Sequence, residues 1–367
     1  MENLVNMFGE LKKYYSGKKI FLTGHTGFKG SWLLQILTML GAKVKGYSLS
    51  PTYKDDLFNV IQGDKICDSV IADLRDRARL KAEIVDFQPD FVFHLAAQPL
   101  VRLSYTIPSE TFEVNAIGTA NLLDGIRYLN NKCTIVLITT DKVYHNNEWD
   151  YPYRENDRLG GYDPYSASKA CTELVIDSYI NSFFNKTQYD THLKDISITR
   201  AGNVIGGGDW SKDRLMPDIA RALSHKKEII VRNPSAVRPW QHVLEPLVAY
   251  LILGAKQSEF PQIYSGAYNI GPKSTDTLSV KEMLELAIKS WGEGSFRIEK
   301  DSNQLHEAGL LKLDSSKISN RLGWQPKWDA SLAVENTMLW YKTFAAHGQK
   351  AAIELMQKQI FDYFDNF

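Results

Sequence analysis

The sequence from Lys18 to Gly30 runs Lys-Lys-Ile-Phe-Leu-Thr-Gly-His-Thr-Gly-Phe-Lys-Gly. Its apolar start predicts a strand, its three glycines predict a tight turn, and the apolar run from Ser31 to Leu40 predicts a helix. Such glycines let a pyrophosphate approach the backbone at the helix N-terminus, where N–H groups are free and the helix dipole is positive. The stretch therefore predicts a dinucleotide-binding turn, for which the alternative is an ordinary tight turn between a strand and a helix.

Strands and helices alternate through the first 200 residues. Further predicted strands lie at residues 42–48, 70–74, 90–97, 134–138 and 195–200, and predicted helices lie between them, including residues 108–129 and a long helix from Asp163. This alternation predicts an α/β fold with a Rossmann-type, doubly wound parallel sheet. We expect the dinucleotide-binding domain to cover residues 1–202 and a smaller C-terminal substrate-binding lobe to cover residues 203–367, with residues 228–272 returning to the first domain. Three glycines at 206–208 suggest either backbone held close to a neighbour or a flexible flap.

Residues expected near the cofactor follow the predicted strands, because ligands bind at the carboxyl edge of a parallel sheet. The second strand ends in Tyr47-Ser-Leu-Ser50, without the acid that selects NAD or the arginine that selects NADP, so this choice stays open. Lys29 adds a positive charge that could accept a 2′-phosphate, and Asp73 could contact adenine or cap a helix. The candidates are Gly24, His25, Thr26, Gly27, Phe28, Lys29, Gly30, Ser48, Asp73, Leu74, Ala96, Ala97, Gln98, Asn115, Thr139, Tyr165 and Lys169.

Two further stretches carry groups that can move protons. The run Thr139-Thr-Asp-Lys-Val-Tyr144 follows a predicted buried strand, so its polar groups are expected at the carboxyl edge of the sheet. Tyr165 and Lys169 stand four residues apart, which places them on one face of a helix. Because a lysine ammonium near a tyrosine hydroxyl favours the phenolate, Tyr165 can act as a base near neutral pH.

The overall composition limits the classes of partner. The chain has 367 residues with 43 basic and 43 acidic side chains, and this balance argues against nucleic acid or an anionic membrane as a partner. No apolar run approaches the roughly 20 residues of a membrane span, and the N-terminus lacks the pattern of a signal peptide. The three cysteines are unclustered and the histidines show no metal-ligand spacing, so we expect no disulfide, no metal site and a cytoplasmic location.

Five motifs occur in the order typical of the extended short-chain dehydrogenase/reductases. They are the glycine turn, Leu95-Ala-Ala-Gln98, Thr140-Asp-Lys-Val-Tyr144, Tyr165-Ser-Ala-Ser-Lys169 and Arg200-Ala-Gly-Asn203. Within that group, residues 18–345 resemble the nucleotide-sugar 4,6-dehydratases. Asp141-Lys142 stands where the dTDP-glucose enzymes have Asp-Glu, and this pair is similar to that of the members acting on CDP-glucose.

The resemblance implies bound NAD, a nucleotide-sugar substrate and a part in making deoxysugars such as those of lipopolysaccharide O-antigens. It also implies a homodimer through helices near residues 108–129 and 164–184, or a higher oligomer. Contacts to the substrate are implied at Ser104, Asn203, Arg214, Leu215, Arg238 and His306, although a structural loop explains His306 equally well.

The resemblance further implies a role for each catalytic residue. Tyr165 would take the proton of the sugar 4-hydroxyl while a hydride leaves C4, Lys169 would lower the pKa of Tyr165, and Thr140 would bond the 4-oxygen. Water is then lost across C5–C6 and the hydride returns to C6. Asp141 would be the acid of this elimination and would need a raised pKa. Lys142 would be the base at C5, or would stay charged and stabilise the enolate while another group moved the proton.

Two other functions stay open. A nucleotide-sugar 4-epimerase uses the same tyrosine and lysine but needs no acid and base beyond C4, so the Asp141-Lys142 pair distinguishes it from a dehydratase. A non-catalytic dinucleotide-sensing protein on the same fold would not need Tyr165 or Lys169, and this chain has both. No residue can be named that distinguishes cytosine from thymine or uracil, so the expectation of CDP depends on the resemblance alone.

Overall fold

A computed structural model describes residues 7–231, 233–299 and 310–365. Its strands are β1 (Lys19–Thr23), β2 (Lys43–Ser48), β3 (Asp68–Ile71), β4 (Phe91–His94), β5 (Cys133–Thr140), β6 (Lys194–Ala201), β7 (Asn203–Ile205), β8 (Ile229–Val231), β9 (Val237–Arg238), β10 (Trp240–His242), β11 (Gly266–Ile270), β12 (Leu278–Ser279) and β13 (Phe296–Ile298). Seven of them form a parallel sheet in the order β11-β6-β5-β4-β1-β2-β3.

The helices are α1 (Met7–Tyr15), α2 (Phe28–Met39), α3 (Leu57–Val60), α4 (Arg77–Phe87), α5 (Val101–Ser104), α6 (Pro108–Phe112), α7 (Gly118–Ile126), α8 (Pro164–Phe183), α9 (Tyr189–His192), α10 (Leu215–Ser224), α11 (Leu244–Glu259), α12 (Pro261–Tyr264), α13 (Val280–Trp291), α14 (Ser316–Leu322) and α15 (Ala330–Asp365). Single 3₁₀ turns lie at Gly63–Lys65, Asp141–Val143 and Lys186–Gln188. No helix in the described part of the chain is long and apolar enough to cross a membrane.

The sheet is covered on both faces, which explains why every residue of β5 is buried and why its sequence is an apolar run. One face packs against α1, α2 and α11, and the other packs against α4, α7 and α8. The strand order reverses between β1 and β4, and ligands bind at such a reversal in open parallel sheets. The predicted Rossmann-type fold is confirmed.

The C-terminal part builds a smaller core of its own from α10, α13 and the first half of α15, with Met216, Met283 and Val334 among its buried residues. Two segments of the C-terminal part pack outside this smaller core, against the first part of the chain. Within residues 228–272, α11 is buried against the sheet and β11 pairs with β6. The end of α15 follows a break at Gly348, where φ is +74°, and contributes Met356 and Ile360 to the main core.

Besides β3, which covers Asp68–Ile71 rather than the predicted 70–74, two predicted elements differ from the structure. The predicted strand 90–97 ends at His94, and its small residues Ala96 and Ala97 lie in the loop beyond it. The predicted helix 108–129 is divided into α6, a π-helical turn over Glu113–Ile117, and α7. Both departures lie beside the glycine turn or the catalytic helix, where strained or irregular backbone is common.

The three glycines at 206–208 are held tightly between the two parts of the molecule. A Cβ at Gly207 would lie 2.1 Å from the Trp340 ring, and the Gly207 carbonyl accepts a 3.0 Å hydrogen bond from Trp32 of α2. Gly208 has φ of +83° and packs on Leu57. The expectation of a closely held backbone is confirmed, and the alternative of a flexible flap is wrong.

Candidate active site

The glycine turn lies at the reversal of the strand order. Gly24 has φ of +74°, and a Cβ there would lie 2.7 Å from the backbone nitrogen of Ala96. A Cβ at Gly30 would lie 2.0 Å from the Gly24 carbonyl oxygen, so only glycine fits either position. Helix α2 begins at Phe28, and its N-cap, Gly27, offers no side chain to the first N–H groups. This narrow cradle with free N–H groups fits the pyrophosphate of a dinucleotide.

Polar side chains near the end of β2 already make contacts within the protein. The Thr26 hydroxyl contacts Ser48 Oγ at 2.8 Å and the Leu49 carbonyl at 2.8 Å. The His25 imidazole is fully buried between β2 and β3, 2.7 Å from Ser69 Oγ, and burial lowers its pKa to about 4. A contact from His25 to a cofactor would therefore come from its backbone rather than its ring.

Asp73 follows β3 and pairs with Arg75, with 2.6 Å between Nη2 and Oδ2. The N-cap of α4 is Asp76, whose carboxylate accepts the Arg79 N–H, so the alternative of Asp73 as a helix cap is wrong. Leu74 is buried beside Gly118. The expected contact from Asp73 to adenine stays a prediction.

Asn115 lies in the π-helical turn and joins two parts of the site. Its Oδ1 accepts the Gln98 N–H at 2.8 Å, and its Nδ2 donates to Ser168 Oγ at 2.8 Å. Ser168 in turn donates to the carbonyl of Tyr165. Asn115 therefore fixes the loop after β4 relative to α8, which carries the predicted catalytic residues.

Helix α8 begins with the predicted catalytic tyrosine. Asp163 is the N-cap and accepts the Ser166 N–H at 3.0 Å, while Pro164 takes the first helical position. Ser104 is fully buried, and its Oγ accepts the Tyr165 N–H and donates to the Val101 carbonyl. The Ser104 hydroxyl is thus occupied in supporting the start of α8, and its contact with a sugar stays a prediction.

Tyr165 and Lys169 are both buried and lie one helical turn apart, as predicted. Burial raises the pKa of Tyr165 to about 12, while the Thr140 hydroxyl and the charge of Arg214 act to lower it. Lys169 Nζ donates to the Ile138 carbonyl at 3.2 Å, and burial lowers its pKa to about 8. The expected effect of Lys169 on Tyr165 stays a prediction, whereas the structure identifies Thr140 and Arg214 as groups with that effect.

The turn after β5 places the Asp141 carboxyl group beside the Thr140 hydroxyl. Thr140 Oγ1 donates to Asp141 Oδ1 at 2.9 Å. Asp141 is 5% exposed, and burial raises its pKa despite the nearby charges of Lys142 and Arg238. A carboxylic acid with a raised pKa can keep the proton that a general acid needs. Lys142 is half-buried on the same turn.

The predicted substrate residues that the structure describes surround this turn. Arg214 forms a 2.8 Å ion pair with the buried Asp209, and Leu215 begins α10 beside it. Asn203 begins β7 and pairs with Trp240, and the charge of Arg238 reaches Asp141. His306 lies outside the described residues.

Lys29 points in a direction that the sequence did not predict. Its Nζ donates to the Tyr250 hydroxyl at 3.0 Å, and its neighbouring charges are Arg214, Lys169 and Asp141. Burial and the two neighbouring cations lower the pKa of Lys29 to about 7. Lys29 thus extends from the glycine turn toward the catalytic groups, and the expectation that it could accept a 2′-phosphate at the end of β2 is not supported.

A pocket that opens to solvent adjoins Asp141 and is lined also by Gly202, Pro239, Lys273, Ser274 and Lys312. Sequence reasoning missed the last three, because the loop after β11 and the segment before α14 carry no motif. It also missed Glu173 and Arg200 as a pair, although Lys169 and Glu173 are four residues apart on α8 and therefore share one face. Among residues 7–231, 233–299 and 310–365, no group of three His, Cys, Asp or Glu side chains could hold a metal ion.

Comparisons with known proteins identify the family of this chain. A protein-family model described as GDP-mannose 4,6 dehydratase matches residues 21–337. The CDP-glucose 4,6-dehydratase of Salmonella typhimurium is 44% identical over 352 residues, covering 96% of this chain and 98% of that protein. The dTDP-glucose 4,6-dehydratase of an Actinoplanes species is 26% identical, covering 88% of this chain and 98% of that protein.

Solved structures share the fold at lower identity. The UDP-glucose 4-epimerase of Thermotoga maritima has a TM-score of 0.75 at 20% identity and covers 89% of this chain and 99% of its own. The dTDP-glucose 4,6-dehydratase of Bacillus anthracis, solved with NAD, has a TM-score of 0.73 at 20% identity and covers 89% of this chain and 97% of its own. With the family model and the Salmonella relative each matching most of its length, the chain belongs to the nucleotide-sugar 4,6-dehydratase family.

Proposed function

We propose that the protein converts CDP-glucose to CDP-4-dehydro-6-deoxyglucose. The observation that carries this proposal is the 44% identity, over almost the whole chain, to a CDP-glucose 4,6-dehydratase. The site supports it, since burial favours a protonated carboxyl on Asp141 and the charge of Asp141 acts on Tyr165, an arrangement that a 4-epimerase does not need.

NAD is the proposed cofactor. The turn from Gly24 to Gly30 and the free N-terminus of α2 would hold its pyrophosphate, with Ala96 and Ala97 allowing close approach. The direction of Lys29, away from the end of β2, favours NAD over NADP. When bound, NAD accepts a hydride from sugar C4 and returns it to C6.

The chain's own residues move the protons. Tyr165 takes the proton of the 4-hydroxyl, and the Thr140 hydroxyl would turn from Asp141 to donate to the 4-oxygen as it becomes a ketone. The ketone acidifies the C5 proton. Asp141 gives its proton to the C6 hydroxyl, which leaves as water while the C5–H bond breaks. Lys142 either takes the C5 proton, or stabilises the enolate with its charge while another group takes that proton, and both roles are compatible with its half-buried position.

Arg214 and Arg238 are proposed to hold the diphosphate, because guanidinium groups bind phosphate oxygens in pairs. Arg214 is fixed by Asp209 at 2.8 Å, so it meets a substrate in a set orientation. Asn203, at the start of β7, is proposed to bind the same group.

A product assay tests the function. The protein is incubated with NAD and, separately, CDP-, dTDP-, UDP- and GDP-glucose, and products are identified by mass and by near-ultraviolet absorbance in alkali. We expect a 4-keto-6-deoxy product from CDP-glucose above all. A CDP-galactose product would support a 4-epimerase instead, and a faster reaction with another nucleotide would overturn the choice of CDP.

A homodimer belongs to the same proposal. Helix α8 and the π-helical turn leave apolar side chains exposed, with Ile117 at 54% and Leu174 at 61%. A second copy that packs these helices against their equivalents would cover such a face. Light scattering on the Leu174→Glu variant should give a monomer where the wild-type gives a dimer. We place this assembly in the cytoplasm, in keeping with three free cysteines, and in deoxysugar formation for O-antigens.

A further inference from the structure

One buried ion pair lies directly behind the catalytic groups. Arg200 at the end of β6 and Glu173 on α8 have side chains only 4% and 1% exposed. Arg200 Nε lies 2.9 Å and 3.0 Å from the two carboxylate oxygens, and Nη2 makes a further short contact to Oε2. Glu173 stands one helical turn beyond Lys169 on the same helix. The mechanism above gives this pair no proton to move and no contact with substrate.

The pair is bonded to both ends of the turn that carries Asp141. At its start, Thr139 Oγ1 donates to Glu173 Oε1 at 2.6 Å. At its end, Arg200 Nη1 donates to the Tyr144 hydroxyl at 2.7 Å, and that hydroxyl donates to Asn269 Oδ1 at 2.7 Å. Asp141 and Lys142 lie between these two anchors.

The two halves of the reaction are held by different contacts. Tyr165 and Lys169 are placed by α8 itself, by its Asp163 cap and by the bond from Lys169 to the Ile138 carbonyl. The turn from Asp141 to Val143 is a single 3₁₀ turn, too short to hold its shape alone. Its position relative to α8 therefore depends on anchors outside it.

We propose that the Arg200–Glu173 pair is a positioning element for the elimination step, setting Asp141 and Lys142 against the groups on α8. The inference rests on the proposed function, because it concerns the loss of water. A buried ion pair is a poor source of stability, and apolar residues of similar volume could fill the same space. Apolar residues could not make hydrogen bonds to Thr139 and Tyr144. The contribution of the pair is therefore to orient these two residues.

The test uses two variants and one control in the full chain. Arg200→Met with Glu173→Leu removes both charges together, which avoids leaving one buried charge unpaired. Tyr144→Phe removes only the hydroxyl at the far anchor. The control, Tyr15→Phe, removes a hydroxyl that is equally buried but donates to the Leu251 carbonyl, away from the site.

Single turnovers with CDP-glucose and NAD separate the two steps. Absorbance of the reduced nicotinamide reports oxidation at C4, and quenched samples analysed by mass report the loss of water. In the double variant we expect elimination to slow by about tenfold or more, since small misplacements of reacting groups have effects of this size. Oxidation should change much less, so reduced cofactor and the 4-keto-glucose nucleotide accumulate.

Tyr144→Phe should show the same pattern more weakly, and Tyr15→Phe should match the wild-type. If the double variant does not fold, Tyr144→Phe decides the matter. Equal slowing of both steps, or elimination at the wild-type rate, would overturn the positioning role. A wild-type protein that makes no 4-keto-6-deoxy product would instead overturn the proposed function, so the two failures are distinct.

Discussion

A carboxyl group is buried at each of two edges of the central sheet, one where the strands end and one where they begin. The surroundings of the two groups differ. At the carboxyl edge, Asp141 lines a pocket, and at the amino edge, Asp195 lines another. Burial raises the pKa of both, that of Asp195 to about 7. By burial and pKa alone, the two carboxyls would be equal candidates for catalysis.

Their neighbours distinguish them. Around Asp141 the polar groups face one another, since Thr140 donates to it and the Tyr165 hydroxyl lies within reach of its charge. Around Asp195, Thr134 also donates to the carboxyl, at 3.3 Å, but Lys194 is tied to the backbone, since it donates to the carbonyls of Asn131 and His192 at 2.7 Å and 2.6 Å. A perturbed carboxyl indicates function only where several proton donors and acceptors converge on one point.

The largest difference in turnover between the two edges should come from substituting their tyrosines. We expect Tyr165→Phe to lower turnover by about a thousandfold, because the general base is lost, while cofactor binding is retained. Tyr189→Phe at the amino edge removes a hydroxyl with no hydrogen-bond partner and should leave turnover unchanged. Product formation and cofactor titration measure both variants. Normal turnover in Tyr165→Phe would refute the assignment of the base.

The two carboxyls should differ next. Asp141→Asn keeps the shape but cannot give a proton to the departing hydroxyl, so we expect elimination to fall by about a hundredfold. Oxidation should persist and reduced cofactor should accumulate in a stopped-flow trace. Asp195→Asn is the matched control and should react like the wild-type. An equal loss in the two variants would mean that the comparison between the edges is mistaken.

The smallest effect concerns stability and pH. The pKa of Asp195 is raised in the folded protein from its ordinary 3.8 to about 7, so its contribution to stability is full below the lower value and is lost as pH rises through the higher one. Asp195→Asn lacks this titration and should gain about 1 kcal/mol over the wild-type between pH 6 and 8. Melting temperatures across that range measure the difference in stability between the variant and the wild-type. Asp141 and Glu245 titrate in both proteins, so their contributions cancel from this difference. A difference independent of pH would count against this account.

Much of the architecture was predictable from local sequence. The strand before Gly24, the helix after it and the strand before Thr139 all carry periodic apolar patterns, and parallel topology then brings the strand ends to one edge. The meeting of Thr140 with Tyr165 follows from that topology. The π-helical turn at Glu113–Ile117 was not predictable, because its apolar pattern is that of an ordinary helix.

Side-chain direction was the part that the sequence could not supply. His25 and Ser104 have the residue types of ligand contacts, but neighbours in the fold take up the Nε2 of His25 and the hydroxyl of Ser104. Lys29 turns toward Tyr250 because α11, more than 200 residues later, packs beside α2. Such directions depend on residues distant in the chain, which local patterns do not encode.

The first and last described helices pack on each other, since the Phe8 ring lies 5.4 Å from Phe361 and 5.3 Å from Phe364. During synthesis, the Phe8 end of α1 therefore lacks this cover until residues 361–364 have left the ribosome, whereas Tyr15 of the same helix can already pack on Phe91. Nascent chains with waiting apolar surfaces are the usual clients of chaperones. Ribosome-bound chains that stop before residue 349 should bind such a chaperone, and release of the finished chain should end the association.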